Sequence, residues 1–332
     1  MAPDGSGKFK EVRKRIDMRY INTLHEGETI RTIYLCKGKR SAETRNGKPY
    51  DNLMLQDKTG TLDGKIWDPN SNGIADYDEK DFVEVFGDVI SYNGNLQLNI
   101  KQLRVAGEGE YNPVDYMPTS DKSVDGMYEE LMRYGAQVKN PYLQQIIQYY
   151  FVKDEAFIKR FKGHSAAKTV HHGFAGGLLE HTLGVTKNCD YFAKMYPVLN
   201  RDLLLTAAIF HDIGKLKELS TFPENDYTDA GQLLGHIMIG AEWVGDAIKS
   251  IDGFPVVLAN ELKHCILAHH GELEFGSPKK PALVEALALS FADNIDAKME
   301  TFRELLVNVP ENDTKWQGYN RFMETNFRRT SV

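Results

Sequence analysis

The residues with most chemical potential in this chain are His211-Asp212-Ile213-Gly214-Lys215, an imidazole, a carboxylate and an ammonium directly after the apolar run 203–209. Consecutive helical residues diverge by roughly 100°, so His211 and Asp212 cannot share a face, yet both can reach an ion lying beside the helix. Lys215, three residues after Asp212, points toward that ion. His181, His236, His269, His270 and Asp293 recur in or beside other apolar helical patterns. About four or five ligands fill one ion, so this larger set suits two ions sharing Asp212, the arrangement of two-metal phosphate chemistry. Mixed imidazole and carboxylate ligation suits manganese, iron, nickel or cobalt. His171 and His172, just ahead of Gly176 and Gly177, are candidates for a substrate mouth. Glu218, Glu242 and Asp246 read as solvated helix residues.

The elements that must position these groups are helical. From about residue 124 onward, Met127, Leu131 and Tyr134, then Leu143, Ile146, Ile147 and Tyr150, recur at helix spacing, and Ser120 or Asp121 can cap the first helix. The preceding region has another rhythm. Short strand-like runs at 29–36, 50–56, 61–67, 81–90 and 95–105 are punctuated by Asn46-Gly47, Thr59-Gly60 and Asn93-Gly94. Five such strands suit a small closed barrel of the OB type.

If Leu53, Leu55, Leu62 and Ile66 face its core, then Tyr50, Asn52, Gln56, Lys65 and Trp67 share the outer face. An aromatic there can stack on a base for roughly 1–3 kcal/mol. Arg31, Lys37, Lys39, Arg40, Arg45 and Lys48, on the first strand and the basic loop after it, supply charge for a phosphate backbone. The expected nucleic-acid contacts are therefore Lys39, Arg40, Arg45, Tyr50, Asn52, Lys65 and Trp67, with single-stranded RNA or single-stranded DNA as partner.

The chain's 332 residues and 42% hydrophobic content allow two domains. The organisation expected is a basic arm at 1–27, a barrel at 28–106, a linker rich in glycine and proline at 107–120, a helical domain at 121–310 and a tail at 311–332. Trp316, Phe322, Phe327, Arg328 and Arg329 make the tail a candidate for self-association into a homo-oligomer. A net charge of −7 excludes a protein that coats nucleic acid over its whole surface, leaving a local basic groove. No apolar run approaches the ~18 residues of a membrane span. The polar start and the dispersed Cys36, Cys189 and Cys265 point to a cytoplasmic protein with reduced thiols and no membrane partner.

The histidine and aspartate set resembles the signature of the HD-domain phosphohydrolases. The longer phrases HHGFAGGLLEHT at 171–182, HDIGK at 211–215 and HHGELEFGSP at 269–278, behind an OB-like barrel, resemble the bacterial YhaM-type 3′-to-5′ exoribonucleases. The resemblance implies a multidomain α and β protein, with an N-terminal five-stranded OB-like β-barrel followed by an all-α HD-type metal-dependent phosphohydrolase domain. It also implies two divalent ions, commonly Mn2+. One would be held by His181, His211, Asp212 and Asp293, the second by His236, His269 and His270 with Asp212 bridging. The expected function is a metal-dependent 3′-to-5′ exonuclease on single-stranded RNA, with Asp212 and Lys215 as catalytic groups. The alternatives are a nucleotide or cyclic-dinucleotide phosphohydrolase, whose Gly-Tyr-Pro signature is missing after His270, and a non-catalytic single-strand-binding protein with structural metals.

Overall fold

Alternating apolar residues in the first third of the chain pair into a closed barrel, in the order β1-β2-β3-β5-β4, where β1 is Thr29–Glu43, β2 Pro49–Asp57, β3 Gly60–Ile66, β4 Phe82–Tyr92 and β5 Asn95–Val105. All neighbours are antiparallel except β3 and β5, which run parallel, as a five-stranded Greek-key barrel requires. Tyr34, Leu53, Leu55, Ile66, Val83, Val85 and Leu98 fill the interior. In this computed structural model the residues described are 18–44, 46–92, 95–117, 122–168, 172–222, 224–307, 309–320 and 323–331. Arg45, His171, Ser120, Asp121 and Phe322 lie outside them.

Three expectations change here. β1 runs to Glu43, so Lys37, Lys39 and Arg40 belong to a strand rather than to a loop; an irregularity between Cys36 and Gly38 re-aims its second half. The stretch 107–117 packs on the barrel: Tyr111 stacks on Phe82 at 3.8 Å, Tyr116 meets Phe82 edge-on at 5.0 Å, and Met117 is buried. Residues 18–27, expected within a solvated arm, are tied to the same barrel, since Ile21 N–H donates to Asp57 at 2.6 Å and Leu24 is buried.

The chain divides into two units, Met1–Pro118 and Thr119–Val332. The second consists of α1 (Val124–Gly135), α2 (Pro141–Phe151), α3 (Glu155–Gly163), α4 (Gly177–Met195), α5 (Arg201–Phe210), α6 (Lys215–Glu218), α7 (Asp229–Lys249), α8 (Val256–Leu267) and α9 (Val284–Val307), then a hairpin of β6 (Tyr319–Asn320) and β7 (Thr325–Asn326). Ser123 caps α1 by accepting from Gly126 N–H, in place of the expected Ser120 or Asp121. α5 is the central helix. Every residue from Leu203 to Phe210 is buried, so it is apolar all round, as a helix enclosed on every side must be. Its C-terminal end delivers His211 and Asp212 into the interior. Among the described residues no helix is long and apolar enough to cross a membrane.

Candidate metal centre

Asp212 stands at the middle of the centre, 2% exposed, and its two oxygens face different groups. Oδ2 lies 3.4 Å from His181 Nε2 and 3.4 Å from His211 Nε2, while Oδ1 lies 3.5 Å from His236 Nε2 and 3.7 Å from His269 Nε2. Asp293 joins the first side, 3.1 Å from His181 Nε2. His270 joins the second, its ring centroid 5.1 Å from that of His236. Three groups of converging donor atoms result: His181, His211 and Asp293; His236, His269 and His270; and, behind the first, His172, His181 and Asp296.

Each of the five imidazoles is held from behind through Nδ1. His211 donates to Ala208 O (2.8 Å), His269 to Ile266 O (2.7 Å) and His270 to Phe275 O (2.7 Å). His181 and His236 use carboxylates, Asp296 Oδ2 and Glu218 Oε1, each at 2.8 Å. A backbone carbonyl only accepts, so the proton of those rings sits on Nδ1 and the Nε2 lone pair is turned inward, as a metal ligand needs. Among the described residues, Asp212 Oδ1, His236 Nε2 and His269 Nε2 are buried without a hydrogen-bond partner. Orphaned buried acceptors of this kind are costly, and a divalent cation satisfies all three, so the residues fit the ions.

Local backbone features make the convergence possible. α7 breaks at Gly235, whose φ of +71° is left-handed territory that favours glycine. The break frees His236 N–H from the helix, and it donates to Glu218 Oε1 at 2.9 Å. Gly214 lets the turn after Asp212 lie against α7, since a Cβ there would come within 2.0 Å of His236 O.

The electrostatics follow from burial opposed by neighbours. Burial pushes the Asp212 carboxyl up, but Lys215 and the His211 and His181 imidazoles outweigh it and hold it well below the usual carboxylate range. Burial and then the adjacent His269 push His270 down to about 4. Lys215 Nζ is 2.7 Å from Asp212 Oδ2; burial lowers its pKa, and Asp212 more than compensates. His181, Lys215, His270 and Asp293 all line one cavity of about 730 Å3.

Two corrections and two omissions concern this site. His172 is only 3% exposed, with Nε2 3.1 Å from Asp296 Oδ2, so it backs the centre instead of lining a mouth. Glu218 is buried against His236, not solvated. Asp296 was not singled out by spacing, although it sits three residues after Asp293 and so shares its helix face. Glu218 had a weaker signal, since only the kink at Gly235 brings His236 to it.

On the barrel, Arg40 pairs in register with Asn52, Asn52 with Lys65, and Lys65 with Asn99, a polar row across four strands. Lys65 Nζ lies 5.0 Å from the Tyr50 and Trp67 rings, which are 5.4 Å apart, and Trp67 Nε1 donates to Asn99 at 3.1 Å. Gln56 leaves this face: it is buried and donates to Tyr116 O at 3.0 Å, covered by the stretch that follows the barrel. Lys39 is opposite the inward Leu53, donates to Tyr77 O at 2.7 Å and lies over the Tyr77 ring, so it sits on the other face from Arg40.

The HD domain family matches residues 178–298, a span that holds all seven expected metal ligands. The 3′-5′ exoribonuclease YhaM of Bacillus velezensis is 39% identical over 280 residues, 83% of this chain and 87% of that protein. YhaM of Bacillus subtilis is 38% identical over 290 residues, 86% of this chain and 90% of that protein. The chain belongs to the YhaM 3′-5′ exoribonuclease family. A solved second OB-fold domain of replication protein A from Methanococcus maripaludis is 17% identical with a TM-score of 0.23, covering 28% of this chain and 98% of that one. From its own strand order and the HD match, this chain is a five-stranded OB-like barrel followed by a helical HD domain, and the HD domain makes the centre one for divalent metal.

Proposed function

We propose that this member of the YhaM family removes nucleotides from the 3′ end of single-stranded RNA at a dinuclear Mn2+ centre, in the cytoplasm. The observation that carries the reading is the division of Asp212, one oxygen toward His181 and His211, the other toward His236 and His269. His181, His211, Asp212 and Asp293 would hold one ion, and His236, His269 and His270, with Asp212 shared, the other. Bound ions supply Lewis acidity toward a phosphoryl oxygen and a nucleophile at neutral pH.

The chain's own groups do the rest. Asp212 would be shared by the two ions and places the Lys215 ammonium at the wall of the cavity, where it offsets negative charge on the phosphoryl oxygens as the 3′ oxygen leaves. Asp296 and Glu218 fix the rings of His181 and His236. On the barrel, Tyr50, Trp67, Lys65, Asn52 and Arg40 present stacking surface and charge to the strand. Nothing in that chemistry requires a 2′-hydroxyl, so single-stranded DNA fits the same face.

The test is pure protein with Mn2+ and RNA labelled at either end, beside mononucleotides and cyclic dinucleotides. A 3′ label released at once as mononucleotide, with a 5′ label moving down a ladder, is expected. Internal fragments, or turnover of the small molecules alone, would overturn the reading.

A further inference from the structure

The cavity beside the centre follows the face of α9 from Ser290 past Asp293 to Leu305, and its volume of about 730 Å3 is suited to a nucleotide-sized ligand. Its two ends differ. At one stands Phe275, 63% exposed, an open rim on which an incoming strand can stack. The other end, about 18 Å along the helix from Asp293, meets the C-terminal hairpin through Asn320 and Met323.

The hairpin is tied to that place. Arg329 donates to Leu306 O in the last turn of α9 at 2.6 Å and to Val309 O at 2.8 Å, Gln317 N–H donates to Phe327 O at 2.9 Å, and the Arg328 guanidinium lies over Trp316. A segment expected to serve self-association therefore contributes to the wall of the active-site cavity.

The charges are sorted along the cavity. Among the described residues two ammonium groups line it. Lys215 is paired with Asp212, while among the described residues Lys298 has no carboxylate partner and is open to a phosphate. Beyond Lys298, toward the hairpin, stands the exposed carboxylate Glu304, which accepts from the backbone N–H of His172. A carboxylate there repels phosphate but accepts hydrogen bonds from hydroxyl groups.

Resting on the exoribonuclease reading, we propose that this end of the cavity seats the 3′-terminal nucleoside, with Glu304 and Asn320 on its sugar hydroxyls, Leu305 and Met323 against its base, and Lys298 toward its phosphate. The apolar pair accepts any base, and Glu304 selects a terminus that ends in hydroxyl over one that ends in phosphate.

Two RNAs identical except for a 3′-hydroxyl or a 3′-phosphate end decide it, using the full chain with Mn2+. The wild type should favour the hydroxyl end in kcat/KM by about tenfold or more. Glu304→Gln should lower kcat/KM on the hydroxyl end and raise it on the phosphate end, opposite movements that a damaged fold cannot produce. Met323→Trp, which fills the same end, should raise KM for both RNAs. Equal use of both ends by the wild type, an unchanged ratio in Glu304→Gln, or an unchanged KM in Met323→Trp would each overturn the assignment. Failure of the wild type to shorten either RNA would instead count against the exoribonuclease reading itself.

Discussion

The Lys215 ammonium lies 2.7 Å from Asp212 Oδ2, the oxygen that also faces His181 and His211. The lysine thus neutralises the carboxylate proposed to join both ions, while reaching the cavity where phosphate would lie. Lys215→Met should therefore act on two properties in opposite conditions. Without metal, the variant is destabilised, because removing one partner of a buried pair costs about 3–5 kcal/mol. Added Mn2+ should restore stability, since the cation replaces the lost charge, yet leave single-turnover cleavage slow. Melting curves with and without Mn2+, beside single-turnover rates, check this; wild-type rate in the variant removes Lys215 from the chemistry.

Glu218 and Asp296 serve different sides of the centre, so their removal should be separable. Glu218→Gln should loosen the ion proposed at His236, and Asp296→Asn the one at His181. A partner of this type typically contributes about 10- to 100-fold in affinity. Metal analysis after dialysis should find close to one ion per chain in each variant and close to two in the wild type. Equal loss of both ions in either variant would mean that the sites fill only together.

The ligand set was legible because few residue types bind metal and each stood in a helical pattern. How Asp212 divides its oxygens was not, since that depends on His236 of α7 and His269, just after α8, being brought to Oδ1 from far along the chain. The burial of Glu218 and the seating of Asp296 against His181 were hidden for the same reason: a carboxylate on a helix looks solvated until the neighbouring helix is known. The barrel was readable from alternation, as Leu53, Leu55, Leu62 and Ile66 show. The outer face was readable only in part, because the irregularity at Cys36 and Gly38 turns Lys39 away and Tyr116 covers Gln56. Neither event leaves a trace in a period-two pattern.

On the barrel face, stacking and charge should separate in a salt titration. Trp67→Ala should weaken binding of single-stranded RNA by roughly 1–3 kcal/mol with the salt slope unchanged, because stacking releases no counterion. Arg40→Gln and Lys65→Gln should each reduce the slope of log K against log salt by about 0.7. Lys39→Gln should leave the slope alone, since its ammonium is held by Tyr77. A slope that falls with Lys39→Gln and not with Arg40→Gln would put the strand on the opposite face.

Truncation should respect the packing of 107–117. A fragment beginning at Thr119 contains the whole proposed centre, and should hydrolyse bis(p-nitrophenyl) phosphate while losing affinity for long RNA. Cutting instead at 110 leaves Tyr111, Tyr116 and Met117 exposed without the barrel they cover, and should give a less soluble product. Equal affinity of the Thr119 fragment and the full chain for long RNA would remove the barrel from substrate binding.

Acid should destabilise the helical unit through His164. This imidazole is 4% exposed, and burial, with smaller contributions from Arg160 and Lys215, lowers its pKa below the ordinary value of 6.5. The folded protein therefore keeps the ring neutral over a range in which the unfolded chain binds a proton. With more protons on the unfolded side, stability rises with pH in that range. The contribution is complete above about pH 6.5 and is lost as pH falls toward the folded pKa, with a slope of at most about 1.4 kcal/mol per pH unit for one proton. His164→Gln retains a polar side chain without the titration, so its stability should fall less than the wild type's between pH 7 and pH 5, though it starts lower because Nδ1 no longer meets Ser165 O. Urea denaturation at several pH values measures both curves, with metal removed so that ligand protonation at the centre is common to both. Parallel curves would show that His164 takes up no proton on unfolding in this range.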